Sequence, residues 1–198
     1  MANAQNGSKR PDHFVPFYAE EKVAMFVDGS NLYAAAKSLD FDIDYRQLLQ
    51  WVAERGRLIR ASYYTTLVEN DDYSPLRPLV DWLDYNGYRM VTRTVKEYTD
   101  VSGRKRYRGS VDVDLAVDMV DLSQNVDHIL LFSGDGDFKR AVEACQNRGA
   151  RVTVISTIEA GTPSISDELR RQADHFLDLK HLMPHIKRVD SPKKDESL

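Results

Sequence analysis

Short apolar runs alternate with amphipathic segments along most of the chain. The first run, residues 22–29, is continuously apolar up to an aspartate, which is typical of a strand covered on both faces. The segments between the runs carry helix signals, such as Asp44 as an N-cap and Gly56 as a stop. The pattern predicts strands at 22–29, 58–67, 88–95, 128–134, 150–156 and, at an edge, 175–179, with helices at 30–39, 44–56, 74–87, 110–124, 137–149 and 166–174.

This alternation predicts the fold class. Helices between short apolar strands favour a central, mainly parallel sheet enclosed by two helical layers, which is a three-layer α/β/α sandwich. One domain is expected over residues 20–182, with a partly flexible N-terminal arm at 1–19 and a charged, flexible tail at 183–198. The polar segment 96–109 is expected to form a hairpin or a long loop.

Composition narrows the setting in which the chain works. Its 198 residues are enough for one domain with a full core. The single cysteine, Cys145, excludes an internal disulfide. No apolar run reaches the roughly 20 residues that a membrane-spanning helix needs, and the first residues lack the apolar core of a signal peptide. These features predict a cytoplasmic protein with no membrane partner. Because the net charge is −4, any attraction to nucleic acid must come from a local basic patch.

Polar side chains follow the carboxyl ends of two predicted strands. Asp28 and Asn31 follow the first strand in MFVDGSN, and Asp135 and Asp137 follow the fourth in ILLFSGDGDF. In open parallel sheets, ligands bind at the carboxyl ends of the strands, near the point where strand order reverses. If these two strands are neighbours, the four side chains meet at one rim.

A third acidic segment, SVDVDLAVDMV, lies between these two motifs. Ser110 is expected to cap its helix and Asp112 to lie in the first turn, whereas Asp114, Asp118 and Asp121 share one helical face. Asp112 is the preferred ligand of this segment, and a solvated face is the alternative for the stripe. Clustered carboxylates repel one another, and oxygen ligands without histidine or thiolate suit Mg²⁺ or Mn²⁺. Helix capping or turn formation is the alternative for each motif taken alone.

Three motifs, MFVDGSNLY, SVDVDLAVDMV and ILLFSGDGDFKRAVEACQNRGARVTVIS, resemble the NYN domain in their order and spacing, specifically its bacterial LabA-like branch within the PIN-like nuclease superfamily. The resemblance covers residues 20–180. It implies a PIN-like, Rossmannoid sandwich and an Mg²⁺- or Mn²⁺-dependent ribonuclease that leaves a 5′-phosphate and a 3′-hydroxyl. It also implies roles for six polar residues: metal ligands at Asp28, Asp112, Asp135 and Asp137, an orienting amide at Asn31 and a supporting carboxylate at Asp118.

Basic residues cluster just before the third acidic segment. Adjacent cations steer a phosphate backbone toward an acidic site, and an aromatic side chain among them offers a stacking surface. Single-stranded RNA is the expected partner, because stacking needs exposed bases. A solvated hairpin is the alternative. Related proteins often carry a lysine shortly before the VD dipeptide, and the nearest basic residue here is an arginine. The candidate RNA-binding residues are Arg93, Lys96, Arg104, Lys105, Arg106, Tyr107 and, as that arginine, Arg108.

Two other functions compete with metal-dependent cleavage of RNA. A non-catalytic RNA-binding or regulatory protein of the same fold is the first, and the intact set of carboxylates favours cleavage over it. A phosphatase that forms an aspartyl-phosphate on Asp28 is the second, and Ser30 disfavours it by standing where such enzymes carry a second acid. Homo-oligomerisation stays open, with the helix at 166–174 as a candidate dimer contact.

Overall fold

The computed structural model describes residues 15–68, 76–99, 102–159 and 164–189. Within these ranges the strands are β1 (Lys22–Asp28), β2 (Arg57–Val68), β3 (Arg89–Thr99), β4 (Lys105–Arg108), β5 (His128–Phe132), β6 (Arg151–Ser156) and β7 (His175–Asp178). They form one sheet in the order β4-β3-β2-β1-β5-β6-β7. Six of these described strands are parallel to one another, and β4 pairs antiparallel with β3 at one edge.

Helices cover both faces of the sheet. They are α1 (Gly29–Ser38), α2 (Tyr45–Ala53), α3 (Arg77–Tyr85), α4 (Asp112–Leu122), α5 (Lys139–Gln146), α6 (Asp167–Gln172) and α7 (Leu179–Ile186). One apolar cluster joins β1 to α1, α2, α3 and α7, and a second joins β1 to α4, α5 and α6. The predicted three-layer α/β/α sandwich with a mainly parallel central sheet is therefore confirmed.

The first strand shows how the two layers share the sheet. Val23, Met25 and Val27 belong to the first cluster, and Ala24 and Phe26 belong to the second. Successive side chains in a strand point to opposite faces. This alternation explains why β1 is apolar throughout, and it places Asp28, the residue that ends the strand, on the same face as α4.

Some local features differ from the sequence-based expectations. The predicted hairpin forms, since Lys96 of β3 pairs with Arg108 of β4. Ser110, however, is not the N-cap of α4: the helix is capped at Val111 without a side-chain bond, because the Ser110 hydroxyl hydrogen-bonds the Asp112 side chain.

The ends of the predicted domain lie close to the limits of the described residues. Ile186 of α7 is fully buried in the first cluster, so packed chain extends past residue 182. Residues 1–14 of the predicted arm and residues 190–198 of the predicted tail lie outside the described residues. None of the helices in the described ranges is long and apolar enough to span a membrane.

Candidate acidic active site

The two strands that precede the acidic motifs are neighbours. Val27 of β1 pairs with Phe132 of β5, so both strands end at the same level. On one side of this pair the chain runs from β1 to β2 and β3, and on the other it runs from β5 to β6 and β7. The β1–β5 junction is thus the point where strand order reverses, which is where α/β sheets of this kind bind ligands.

Asp28 is held in place by three donors. Its Oδ1 accepts hydrogen bonds from the Ser30 hydroxyl at 2.9 Å and from the Asn31 backbone N–H at 3.2 Å, and its Oδ2 accepts one from the Ser133 hydroxyl at 2.9 Å. The side chain is 5% exposed. Asp28 therefore caps α1, as expected if the motif were only a helix cap. It also accepts a hydrogen bond from Ser133, on the β5 side of the rim.

Asn31 makes a second link across the same junction. Its Oδ1 accepts a hydrogen bond of 2.8 Å from the Gly134 backbone N–H. This bond leaves the two N–H donors of the amide on the other side of the group. Asn31 is therefore fixed beside the loop that carries the second acidic motif.

Asp135 and Asp137 lie on a short 3₁₀ turn after β5. Asp135 Oδ1 accepts a 3.0 Å hydrogen bond from the Asp137 backbone N–H and so caps the turn. The Asp135 backbone N–H donates to the Ser133 hydroxyl at 3.2 Å. Asp135 acts as the cap and Asp137 does not, so the Asp137 carboxylate can take part in another interaction.

Asp112, the first residue of α4, lies within the electric field of the other three acids. Burial raises its pKa most strongly, a hydrogen bond from Ser110 acts in the opposite direction, and the negative charges of Asp28, Asp135 and Asp137 raise its pKa further. Three segments that are distant in sequence thus bring carboxylates close enough to repel one another. Such repulsion is what a bound cation relieves.

The donor set fits a hard divalent cation in its chemistry, because it consists of carboxylate oxygens without histidine or thiolate. In the described part of the chain, no three His, Cys, Asp or Glu side chains are near enough to hold one ion as they stand. The structure therefore brings together Asp28, Asp112, Asp135 and Asp137 as charges, and their role as metal ligands remains a proposal.

Two other acids of α4, Asp114 and Asp118, are bound by side chains of β2 and β3. Asp118 Oδ2 accepts hydrogen bonds from the Tyr64 hydroxyl at 2.8 Å and from Arg89 at 2.5 Å. Asp114 forms a two-point ion pair with Arg93, with N–O distances of 2.9 and 2.8 Å. These bonds give Asp118 an anchoring role between α4 and the sheet, and Asp114 is bound in the same way.

The candidate RNA-binding residues follow the β3–β4 hairpin. Arg93 is half exposed and bound to Asp114, and Lys96 and Arg104 are exposed. The side chains of four others lie outside what the structure describes: Lys105, Arg106, Tyr107 and Arg108.

Sequence reasoning missed three residues that organise the site. Ser133 links Asp28 to Asp135, and Tyr64 and Arg89 hold Asp118. The small polar residue directly after an apolar strand was the one available signal for Ser133. Nothing local marks the other two, because each is a partner only through the pairing of distant strands.

Comparison with known proteins supports this fold. The NYN domain family matches residues 22–180. A curated relative, the low amplitude and bright protein LabA of Synechococcus elongatus, is 33% identical over 180 residues, which cover 89% of this chain and 93% of that protein. An uncharacterised protein of Methanocaldococcus jannaschii is 24% identical over 182 residues, 90% of this chain and 64% of its own length.

A solved structure supports the same assignment. A protein of unknown function from Vibrio parahaemolyticus superimposes with a TM-score of 0.64 and 26% identity, covering 86% of this chain and 96% of that one. The fold is thus that of a PIN-like α/β/α protein, and carboxylates lie at the β1–β5 junction, where strand order reverses. Within that class, the chain belongs to the NYN domain family and is LabA-like. This family lies in the PIN-like nuclease superfamily, which points to an RNase-type function.

Proposed function

We propose that this protein is a metal-dependent ribonuclease that hydrolyses phosphodiester bonds in single-stranded RNA at the acidic rim. The observation that carries the proposal is the convergence of four carboxylates from three segments. The paired strands β1 and β5 end side by side at the two acidic motifs, and the charges of Asp28, Asp135 and Asp137 add to burial in raising the pKa of Asp112. A purely structural set of caps would not need a second carboxylate at the β5 turn, nor an acid of α4 facing both.

In this proposal, Asp28, Asp112, Asp135 and Asp137 hold Mg²⁺ or Mn²⁺. When bound, such a cation neutralises charge on the scissile phosphate and makes a nearby water a better nucleophile at neutral pH. Products with a 5′-phosphate and a 3′-hydroxyl are what the family resemblance implies.

The chain's own residues prepare the rim for this chemistry. Ser133 and Ser30 donate to Asp28 and hold its carboxylate in place at the base of the rim. The Asn31 amide, fixed by Gly134, offers N–H donors to a phosphate oxygen or to the attacking water. The basic β3–β4 hairpin leads directly into α4, and so its cations attract the strand to an otherwise repulsive site.

A non-catalytic RNA-binding protein is the second candidate. It is favoured by one observation, namely that the described carboxylates do not form a closed set around a single ion. In that case RNA would bind without being cut, and substitution of the carboxylates would leave binding unchanged or tighter.

Cleavage of labelled single-stranded RNA, with Mn²⁺, with Mg²⁺ or with chelator, tests the proposal. Asp28→Asn and Asp135→Asn should each reduce the rate by at least 100-fold in the presence of metal. The matched control is Asp121→Asn, an exposed carboxylate on the same helix as Asp112, which should cut like the wild type. Thermal unfolding of each variant confirms that the protein is folded. RNA that is bound but never cut by the folded wild type would establish the second candidate instead.

A further inference from the structure

A groove on the side of the sheet covered by α1, α2 and α3 has features that the proposed cleavage chemistry does not use. It lies between α1, α2 and α3, and its volume is about 730 Å³, within the range of small-molecule and nucleotide sites. Its walls carry aromatic rings and guanidinium groups at once. The residues that matter here are Tyr33, Tyr45, Trp82, Arg46 and Arg188.

A pair of tyrosines links the wall of the groove to the start of α1. The Tyr45 hydroxyl lies 3.3 Å from the Tyr63 hydroxyl. The Tyr63 ring packs so closely on Gly29 that a Cβ added there would lie 2.6 Å from it. Gly29 directly follows Asp28 in the chain. The tyrosine pair therefore connects the wall of the groove to the residue that follows Asp28.

The aromatic rings present faces on which a base can stack. Tyr33 is 57% exposed on α1, two residues after Asn31. Trp82 is partly exposed on α3, and the Arg46 guanidinium lies 5.7 Å from the centre of its ring. Stacking on an aromatic ring is the main way in which proteins hold unpaired bases without reading their sequence.

Two guanidinium groups supply the positive charge of the groove lining. Arg46 and Arg188 line the groove together with Asp42 and Asp44, and each of these carboxylates has another partner. Asp42 is paired with Lys37 at 2.6 Å, and Asp44 caps α2 by accepting from the Arg46 and Gln47 backbone N–H groups. The guanidiniums are thus available as partners for phosphate oxygens that flank a stacked base.

We infer that this groove is a nucleobase subsite, which holds an unpaired base of the RNA strand that flanks the phosphate at the acidic rim. The inference rests on the proposed function for the identity of its ligand class. It gives single-strand selectivity a structural origin apart from the basic hairpin, because a base in a duplex cannot enter the groove.

Tryptophan fluorescence reports the subsite directly. Trp51 packs edge-on against Phe17 and under the Arg55 guanidinium, and among the described residues its indole nitrogen has no hydrogen-bond partner. Trp51→Phe keeps an aromatic ring at this position and leaves Trp82 as the only tryptophan of the chain. Titration of this full-length variant with an eight-nucleotide oligouridylate, in chelator so that no RNA is cut, should quench Trp82. An abasic strand of equal length should quench it much less. The reciprocal Trp82→Phe variant, which keeps Trp51, should show no quenching.

Substitutions on the walls separate the groove from general RNA binding. Tyr33→Ala should weaken binding of the same oligonucleotide by about 5- to 100-fold, the usual effect of losing one stacked base. Tyr85→Ala removes an 89% exposed tyrosine elsewhere on α3 and should change binding less than 2-fold.

Three results would overturn the inference: RNA binding by anisotropy without quenching of Trp82, equal quenching by the abasic strand, or uridine monophosphate binding as tightly as the octamer. Each leaves the cleavage assay untouched. Conversely, quenching with no cleavage in Mn²⁺ or Mg²⁺ would remove the proposed nuclease activity and keep the subsite.

Discussion

Ser133 donates a hydrogen bond of 2.9 Å to Asp28, a residue 105 positions earlier in the chain. The same hydroxyl accepts from the Asp135 backbone N–H at 3.2 Å. One buried serine thereby sets the spacing between the β1 and β5 sides of the acidic rim. Its removal would leave a buried carboxylate with one donor fewer.

Ser133→Ala should therefore affect both stability and activity. Loss of a buried hydrogen bond to a carboxylate costs about 1–3 kcal/mol in the free energy of unfolding, and cleavage should fall at least 10-fold because Asp28 keeps only the Ser30 and Asn31 donors and is held less firmly. Urea unfolding and RNA cleavage measure the two effects. The matched control is Ser123→Ala, another buried serine, whose hydroxyl donates to the Val120 carbonyl away from the rim. It should lose stability alone, and equal loss of activity in both variants would contradict the role of Ser133.

Asp118 and Asp112 should respond differently to neutralisation, although they lie on the same helix. Asp118→Asn removes the charge that faces Arg89 and Tyr64, so it should cost about 1–2 kcal/mol of stability and reduce cleavage less than 10-fold. Asp112→Asn should reduce cleavage at least 100-fold with little loss of stability, because it relieves repulsion among the acids. Parallel thermal melts and cleavage rates test this difference. A loss of cleavage rate greater than 10-fold for Asp118→Asn would show that this carboxylate takes part in cleavage.

Gly134 should not tolerate even one added methyl group. A Cβ at this position would lie 1.7 Å from the Ser164 carbonyl oxygen, so Gly134→Ala must displace the backbone that crosses the rim. We expect at least 2 kcal/mol of destabilisation, as for other overpacked sites, and loss of cleavage. Gly149→Ala is the control: nothing lies within 4 Å, and the cost comes from its φ of +92° alone, about 1 kcal/mol. A melting temperature for Gly134→Ala equal to that of the wild type would show that the backbone of this loop can move aside at little cost.

Stability should fall in mild acid because of His128. This histidine is fully buried between β1 and β6, and burial, followed by the charges of Arg151 and His175, lowers its pKa to about 3. Arg151 donates to Nδ1 and the Thr153 hydroxyl lies 2.7 Å from Nε2, so the ring is neutral and its 3.7 Å approach to Glu21 is not an ion pair.

The sign follows from proton binding in the two states. Below pH 6.5 the unfolded chain protonates this histidine and the folded chain does not, so the free energy of unfolding should drop by about 1 kcal/mol per pH unit toward pH 4. Urea unfolding at pH 7, 6 and 5 measures the slope. His128→Gln should flatten it, and His185→Gln, an exposed histidine, should not. Identical slopes in all three proteins would contradict the assignment.

The basic hairpin should control the salt dependence of RNA binding. Each phosphate contact contributes about −0.7 to the slope of log K against log salt for a single strand. Replacement of Arg104, Lys105 and Arg106 by alanine should therefore make the slope shallower by up to about 2. An unchanged slope would exclude the hairpin as a phosphate-binding surface.

The control for this experiment removes three cations at the other end of the strands, away from the rim. The amino-terminal ends of β1 and β2 carry exposed basic side chains far from the strand ends that form the rim. Alanine at all three should leave the slope as it is in the wild type. These residues are Lys22, Arg57 and Arg60.

Much of the architecture is determined by residues that are close together in sequence. The apolar run of β1 and the Asp44 cap of α2 were predicted and are present, and of the hairpin or long loop expected at 96–109 the structure has the β3–β4 hairpin. Strand burial, capping and turn formation depend on near neighbours in sequence. The location of Asp28 and Asp135 at one rim also followed, since it needs only parallel strands and their ends. The Ser110 cap failed because its hydroxyl had a competing partner, the Asp112 carboxylate.

Other features were decided only when the chain folded. Ser133 meets Asp28 because β1 and β5 are neighbours, and Arg89 and Tyr64 meet Asp118 because β2 and β3 lie beneath α4. The aromatic groove joins three helices that share no local pattern. Periodicity in a sequence tells which face of an element is buried, but not which distant element will cover it. That choice is made by packing over the whole sheet, and in this protein it selects the partners of each catalytic candidate.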